Sequence, residues 1–537
     1  MAGIWAEVLG LSGNGNASQI GGDDNFFALG GHSLGAMRVL SRVRAAWAID
    51  LPLRTVFGAP TLHALAAQID TLRGIGDTPN LATPVRAVAR LPQMPLSLMQ
   101  QRIWIVDQLA GGGLSSYNMA AGLDLSGELD VALLRASIAL LVARHEVLRT
   151  AIGEHDGEPY LTCVDRLEVP LPMVACVALD PQRRAHTVMS MLAQAAQAPF
   201  DLAQPPLLRM QLLRFDARHH VLIVVLHHII ADGASVHILL DELCHIYRAL
   251  GAGMPPALPA LALQYADYAA WQREQLTPAT IRREQDFWRT YLAGAPHFLG
   301  FPADGPRPAV ATHEGGALYF RLSGATAARV RTLANAHGMT PFAVLLASFQ
   351  LFLHRLTQQA DLVIGTDVAG RDRIEFEGLI GFFVNVLPLR SRMTADGAML
   401  NSFDAWLRAT RQTNWEALEH RALPFDRIVD ALPVSRRRDA NPLLQLLFVL
   451  RDLPRRNTSV PDLALELLRP QTTQSKFDMA LFVEPAADGY EIEWVYASAL
   501  FLPSTIKQWF EQWRDLLDVV LVNPAAPLDA ASAELQS

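Results

Sequence analysis

His227-His228-Ile229-Ile230-Ala231-Asp232-Gly233 follows the unbroken apolar run Val221 to Leu226 and precedes Val236, Leu239, Leu240, Leu243, Ile246, Tyr247 and Leu250. A strand covered on both faces need not alternate, so the run predicts a buried central strand. The residues after Gly233 carry the spacing of an amphipathic helix. Strand, sharp turn and helix in that order indicate α/β layers, with the titratable groups gathered where the strand ends. Successive side chains on a strand face opposite sides. If strand geometry continues through the pair, His227 and His228 do not share a cavity, and one is the working group beside a structural neighbour.

The 537 residues are 51% hydrophobic and 18% charged, a globular composition with length for about three or four cores. A net charge of -8 argues against a nucleic-acid polyanion as main partner, because phosphate binding needs a basic surface. Cys163, Cys176 and Cys244 have no CxxC spacing and suit a reducing cytosol. No apolar run approaches the roughly 18 residues of a membrane span. Met1 to Glu7 lacks the order of a secretion signal. A cytoplasmic bacterial protein without membrane contact is the expectation.

Residues 1–75 read as a small helical unit. Ile4, Trp5, Val8 and Leu9 mark a first helix, Ser33 starts a second, Pro52 to Phe57 a third and Thr61 to Leu72 a fourth. Residues 76–94 have a linker's Gly/Pro content. The remainder alternates helical and strand-like segments, and the proline-rich stretch 294–316 divides it into 95–293 and 317–530, with a tail at 531–537. In the second half Thr340 caps and Pro341 opens a helix with the stripe Phe342, Leu345, Leu346, Phe349, Leu353 and Leu356.

Asp23-Asp24-Asn25-Phe26-Phe27-Ala28-Leu29-Gly30-Gly31-His32-Ser33-Leu34 puts a serine at a helix start after a Gly-Gly turn. Free N–H groups there favour a phosphate on its hydroxyl, although a plain N-cap serine has the same position. The twelve residues, in a four-helix unit ending in a linker, resemble the peptidyl carrier domain of nonribosomal peptide synthetases. The resemblance implies that Ser33 carries 4'-phosphopantetheine, installed by a phosphopantetheinyl transferase. It also implies that His32 goes with a condensation partner.

Seven further segments resemble the condensation domain of the same synthetases, in order: Ser97, Gln100, Gln101, Arg102 and Trp104; Arg144 to Thr150; His227 to Gly233; Tyr265 to Trp271; Ile380 to Asn385; Pro424-Phe425-Asp426; and Arg438 to Leu443. The implied architecture is multidomain: a four-helix-bundle carrier, then an α/β (α+β) enzyme. Its two lobes, each like chloramphenicol acetyltransferase, form a V around a central tunnel. Ala234 stands where the family usually has tryptophan, and Arg421-Ala422 where it has Gln-Asp; both bear on substrate shape.

The implied reaction joins a carrier-bound acyl or peptidyl thioester to the amine of an aminoacyl group on a downstream carrier. The chain reads as a didomain of a larger synthetase, monomeric as excised, that needs upstream and downstream modules. An α-amine with a reference pKa of about 7.7–8.0 is partly neutral already, so the harder step is proton removal from the positively charged adduct. The resemblance assigns that step to His228; orienting the amine by a hydrogen bond is the alternative. His227, Asp232 and Gly233 support it, and Arg371 of the other lobe is the charge partner of Asp232. Gly233 is expected to supply a backbone conformation that other residues resist. General-base catalysis is worth roughly 3–5 kcal/mol; alignment of two tethered substrates contributes about 7–11 kcal/mol. A short tether gives an effective concentration of about millimolar, making the cargo of Ser33 the natural donor.

The competing readings are specific. Neither HExxH nor Cys/His spacing occurs around His227, His228, Asp232 and His237, so no metal is expected. His145 reads as structural, Arg436-Arg437-Arg438 as a solvated loop, and Trp509, Phe510, Trp513, Leu516 and Leu517 as packing. Epimerisation shares the histidine pair but is disfavoured by His32, the Arg-His-Glu motif and Phe383-Val384-Asn385. An ester-forming variant and a non-catalytic domain that recruits tailoring enzymes are the remaining alternatives. The segment Ser97 to Trp104 resembles domains that accept L-configured donors.

Overall fold

The computed structural model describes residues 1–11, 20–31, 33–74, 85–176, 180–395, 398–435, 437–451, 460, 463–468 and 474–528. The N-terminal unit consists of α1 (Ala2–Val8), α2 (Ser33–Trp47), α3 (Leu53–Gly58) and α4 (Leu62–Gly74). Its core includes an aromatic cluster: Trp5 meets Phe26 edge-on at 5.2 Å and Phe27 stacks on Phe57 at 4.8 Å. The Gly/Asn/Ser-rich residues 12–19, His32 and linker residues 75–84 lie outside the described residues.

The distal linker is laid on the first lobe. The Val88 N–H donates to Asp267 Oδ1 at 2.8 Å, and Arg90 reaches both oxygens of Asp267 at 2.6 and 2.9 Å. There α5 (Leu98–Leu109) starts at a capping box, in which the Ser97 hydroxyl accepts from Gln100 N–H.

The first lobe is a sheet of β1 (Asn118–Gly127), β2 (Met173–Ala175), β3 (Leu208–Arg214) and β4 (His219–His227), covered by α6 (Val131–Arg144), α7 (Pro181–Gln197) and α8 (Gly233–Gly251). The expected central strand is β4, hydrogen-bonded to β1 on one side and β3 on the other. Each residue from Val221 to Leu226 is at most 2% exposed, which is why the run carries no alternation.

Two helices lead onward, α9 (Tyr265–Gln275) and α10 (Pro278–Tyr291). The core of the second lobe begins with α10: Trp288 is buried among its residues, ahead of the proline-rich stretch. That lobe holds β5 (Gly315–Leu322), β6 (Asp361–Ala369), β7 (Val384–Arg392), β8 (Leu446–Leu450), β9 (Leu463–Leu468), β10 (Met479–Ala486) and β11 (Gly489–Ala497). Six of these pair in the order β7-β6-β8-β10-β11-β5. The exception is β9, which crosses over and extends the first sheet along β1, from Leu463 opposite Gly127 to Leu468 opposite Gly122.

Around the second sheet lie α11 (Gly324–Ala336), α12 (Pro341–Thr357), α13 (Phe403–Glu419), α14 (Phe425–Asp430) and α15 (Pro503–Val522). Thr340 caps α12 by accepting from Ala343 N–H at 3.3 Å. The α15 stripe is core, with Phe510 stacked on Phe320 at 4.1 Å. Among the described residues, no single helix is long and apolar enough to cross a membrane.

Candidate active site between the lobes

The central strand stops at His227, and the chain turns at once. The His228 N–H donates to the Tyr117 carbonyl at 2.8 Å, and Ile230 N–H to the His227 carbonyl at 3.0 Å. The two imidazoles therefore part company. His227 is 1% exposed, with its ring near those of Tyr117 (6.3 Å) and Phe200 (6.0 Å). Its Nδ1 accepts from Ile229 N–H at 3.2 Å, which requires the proton on Nε2. His228 keeps part of its surface open and lies edge-on to Phe382, a second-lobe residue, at 5.0 Å.

The His228 ring is the opposite tautomer. Nδ1–H donates to the Ala231 carbonyl at 2.9 Å, which leaves the Nε2 lone pair free to accept. Burial lowers its pKa to about 4, helped by the positive charge of Lys476. The pKa of His227 is pushed down to about 3, again chiefly by burial. Both rings are neutral at physiological pH.

Asp232 caps α8, and its Oδ1 accepts from Ser235 N–H and Oγ–H, each at 2.8 Å. Its Oδ2 accepts from Phe383 N–H at 3.2 Å. Arg371, just beyond β6, brings Nη2 within 2.9 Å of Asp232 Oδ1 and of Ser235 Oγ. Arg371 Nη1 donates to the Phe376 and Leu379 carbonyls at 2.8 and 2.6 Å, and the guanidinium lies 4.1 Å over the Phe383 ring. Burial acts to raise the Asp232 carboxyl, but Arg371 and the Ser235 hydrogen bonds hold it below its ordinary value. The loop from Phe376 to Phe383 is packed into the core of the first lobe.

Gly233 departs from the sequence expectation. It is the first residue of α8, its φ is not positive, and a Cβ there would meet nothing within 4 Å. Backbone freedom is therefore not what the position requires, and the space at its Cβ, on the turn that follows His228, is open.

The other motif residues brace this turn. Gln100 Nε2 donates to the Ile229 carbonyl at 2.9 Å. Ser97 Oγ meets Tyr265 Oη at 2.9 Å, and Tyr265 Oη donates to the Phe382 carbonyl at 2.5 Å. Asn385 Nδ2 donates to the Arg421 and Leu423 carbonyls at 2.9 and 2.8 Å. His145 is buried against Glu242 at 2.7 Å, in a structural setting. Arg437 pairs with Asp439 at the surface, and Arg436 lies outside the described residues. Among the described residues, no three His, Cys, Asp or Glu side chains gather as metal ligands would.

Sequence reasoning missed three residues here: Ser235, which bridges Asp232 to the Gly381 backbone, Lys476, whose Nζ sits 4.3 Å over the Tyr117 ring, and Asp367 on β6. Burial pushes the Asp367 carboxyl up to about 6.

The serine of the N-terminal unit opens α2 after Gly30, at φ +96°, and Gly31. A Cβ on Gly31 would collide with the ring and carbonyl of Phe26, so the chain passes there only as glycine. A fifteen-residue helix whose N-terminus starts at a serine is a fitting mount for a phosphodiester. The Ser33 side chain lies outside the described residues.

The same unit rests on the second lobe. Arg42 forks onto Glu377 at 2.9 and 3.1 Å, Ser41 Oγ accepts from Ile374 N–H at 2.6 Å, and Phe57 meets Trp415 at 5.6 Å. Ile374 and Glu377 belong to the segment that leads from Arg371 to Phe383.

Comparison with known proteins agrees with this geometry. Residues 92–534 match the condensation domain family and residues 1–69 the phosphopantetheine attachment site family. A linear gramicidin synthase from Brevibacillus parabrevis is 38% identical over 99% of this chain. Phosphinothricin tripeptide synthetase PhsB of Streptomyces viridochromogenes is also 38% identical, over 98% of it. The chain spans 7% and 44% of the lengths of those two proteins. Among solved structures, the X-domain in complex with OxyB from teicoplanin biosynthesis matches with a TM-score of 0.74 at 27% identity, over 83% of this chain and 97% of that one. Matching of the attachment-site family assigns a covalent 4'-phosphopantetheine to the N-terminal unit. The chain belongs to the condensation domain family and, with the carrier in front of it, is a carrier–condensation unit of the nonribosomal peptide synthetase type.

Proposed function

We propose that the chain forms an amide bond between an acyl or peptidyl group delivered by its own carrier and the amine of an aminoacyl group on a downstream carrier. The observation that carries this reading is the His228 ring. It is neutral, partly exposed, edge-on to Phe382 of the second lobe, and fixed through Nδ1 so that Nε2 is left as an acceptor. When bound, the phosphopantetheine arm on Ser33 presents the acyl group as a thioester, from which the product amide is made as the thiol departs.

His228 Nε2 accepts a hydrogen bond from the amine and aims its lone pair. A base with a pKa of about 4 is a weak proton acceptor, so orientation is the larger part of its task. Asp232 and Arg371 hold the turn and take no part in proton transfer. The contact of Arg42 with Glu377 supports docking of this carrier as the donor, and the segment Ser97 to Trp104 supports an L-configured donor.

A second reading, recruitment of a tailoring enzyme to the carrier, has the X-domain likeness in its favour. Intact-mass measurement separates the two. Ser33 is converted to its holo form, loaded with matched L- and D-acyl groups, and mixed with an aminoacyl-loaded partner carrier. Amide formation transfers the donor mass to the acceptor, faster for L, and Ser33→Ala abolishes loading. No transfer between two loaded carriers would overturn the reading. Exchange of the donor α-proton in deuterated water without acceptor would point to epimerisation instead.

A further inference from the structure

Arginine supplies nearly every basic side chain of this protein: of 45 lysines and arginines, only Lys476 and Lys507 are lysine. Lys507 is exposed on α15. Lys476 is half-buried, on a segment pinned from both lobes. Gln474 Nε2 donates to Ser115 Oγ of the first lobe at 3.3 Å, and Ser475 N–H donates to the His313 carbonyl at 2.9 Å. Asn441 Nδ2 donates to the Lys476 carbonyl itself. The ammonium ends 4.3 Å over the Tyr117 ring, and the Tyr117 carbonyl is the group that receives the His228 N–H at 2.8 Å.

We propose that Lys476 is a positioning residue for His228, an ammonium brought from the second lobe and seated on Tyr117, the residue whose carbonyl holds the His228 N–H, so that its charge works with burial against protonation of the imidazole. This rests on the reading of His228 given under Proposed function. A cation over an aromatic face is attracted by the ring's quadrupole, and the ammonium concentrates its charge at one point there. Its charge disfavours a second positive charge nearby, and among the causes that depress His228 it comes next after burial.

The other charged groups are accounted for. Asp232 favours imidazolium but is held by Arg371. His227 is neutral and also feels Lys476 and Arg209. Lys476, lowered to about 8 by burial, faces Asp367 on β6 and Arg102 on α5. Asp367 in turn faces Arg451, and Arg102 also faces Asp426 on α14. Arg451 is already bonded to Glu484 and Glu493.

The test is the histidine ring titration by NMR in the full chain, for wild type, Lys476→Met and Lys476→Arg. The His228 midpoint is expected to rise by about half a pH unit or more in K476M and to stay low in K476R. The acid limb of kcat/KM assigned to His228 should move with it. An unchanged midpoint in K476M overturns the proposal. If K476M does not fold, the wild-type chain still decides. With two lysines in the sequence, the Lys476 Nζ resonance is assignable, and its titration near pH 8 must be mirrored by a step in the His228 ring shifts. No mirrored step overturns the proposal equally. Coupled titrations without amide formation would count against the reaction and leave this inference standing.

Discussion

Arg371 crosses from the second lobe to place Nη2 2.9 Å from Asp232 Oδ1, and side chains on both sides of that contact are buried. Removing the carboxylate strands a buried guanidinium and leaves the Phe383 and Ser235 N–H groups without an acceptor. Asp232→Ala is expected to cost about 3–5 kcal/mol of stability along with activity. Denaturant unfolding checks this, and an Asp232→Ala chain as stable as wild type would contradict it. Because the carboxyl is held below its ordinary value, its contribution is full above the unfolded carboxylate range near pH 4 and is lost on further acidification.

The strand, turn and helix around His228 were legible because covering a strand on both faces and a helix on one leaves two distinct apolar patterns. Phe342, Leu345 and Phe349 announced α12 in the same way. The crossover of β9 was not legible: Leu463 to Leu468 reads as a strand in either lobe, and only the three-dimensional path decides its partner. Gly233 misled for a related reason, since a glycine kept for empty space and one kept for a positive φ are the same letter. Lys476 had a signal in its rarity, but rarity alone says nothing of where the side chain points.

The two histidines should fail in different ways. His228→Ala removes the accepting Nε2 and should slow amide formation by ~10²–10⁴-fold. It should cost only about 1 kcal/mol of stability, through the lost bond to the Ala231 carbonyl. His227→Ala empties a fully buried space between Tyr117 and Phe200 and should destabilise by roughly 2–4 kcal/mol. Single-turnover rates with parallel thermal melts make the comparison. Equal melting points for the two variants would refute the division of labour.

Acid should weaken the fold before the Asp232 carboxylate titrates. His227, at about 3, and His354, lowered by burial to about 4, are neutral in the folded chain and protonate near pH 6.5 when unfolded. A depressed histidine contributes stability that is full above about pH 6.5 and declines as pH falls, by up to about 2 kcal/mol per group at pH 5. Catalysis has a different pH signature. With His228 at about 4, the rise of kcat/KM between pH 6 and 8 should follow the acceptor amine and move when an acceptor of lower amine pKa is used. An inflection near 6.5 that ignores the acceptor would assign that limb to the protein.

Gly233→Ala separates space from backbone freedom. At a helical φ with nothing within 4 Å, the added methyl should fold without strain and stabilise by about 0.4–1 kcal/mol. If the open space on the turn after His228 admits substrate, activity falls while the melting temperature rises. A melting temperature lowered by several degrees would restore the conformational explanation.

The carrier contact makes a last demand. Glu377 takes both arms of Arg42, and the loop that presents it also supplies the Phe376 carbonyl to Arg371. Reversing the charge in Glu377→Arg sets a new guanidinium against those of Arg42 and Arg38 where charge-assisted bonds stood, a loss of roughly 1.5–3 kcal/mol. Transfer from the chain's own carrier should then fall by about tenfold or more. Because the loop borders Arg371, the melting temperature has to be followed in parallel, so that a loosened Asp232 clamp is not taken for lost docking. The double variant Arg42→Glu with Glu377→Arg tests the contact itself. It should recover part of the transfer, short of the full rate, because Glu7 also binds Arg42 at 2.8 Å and would face the new carboxylate. No recovery in a double variant that melts like wild type would mean that this docked arrangement is not the one from which the donor is used.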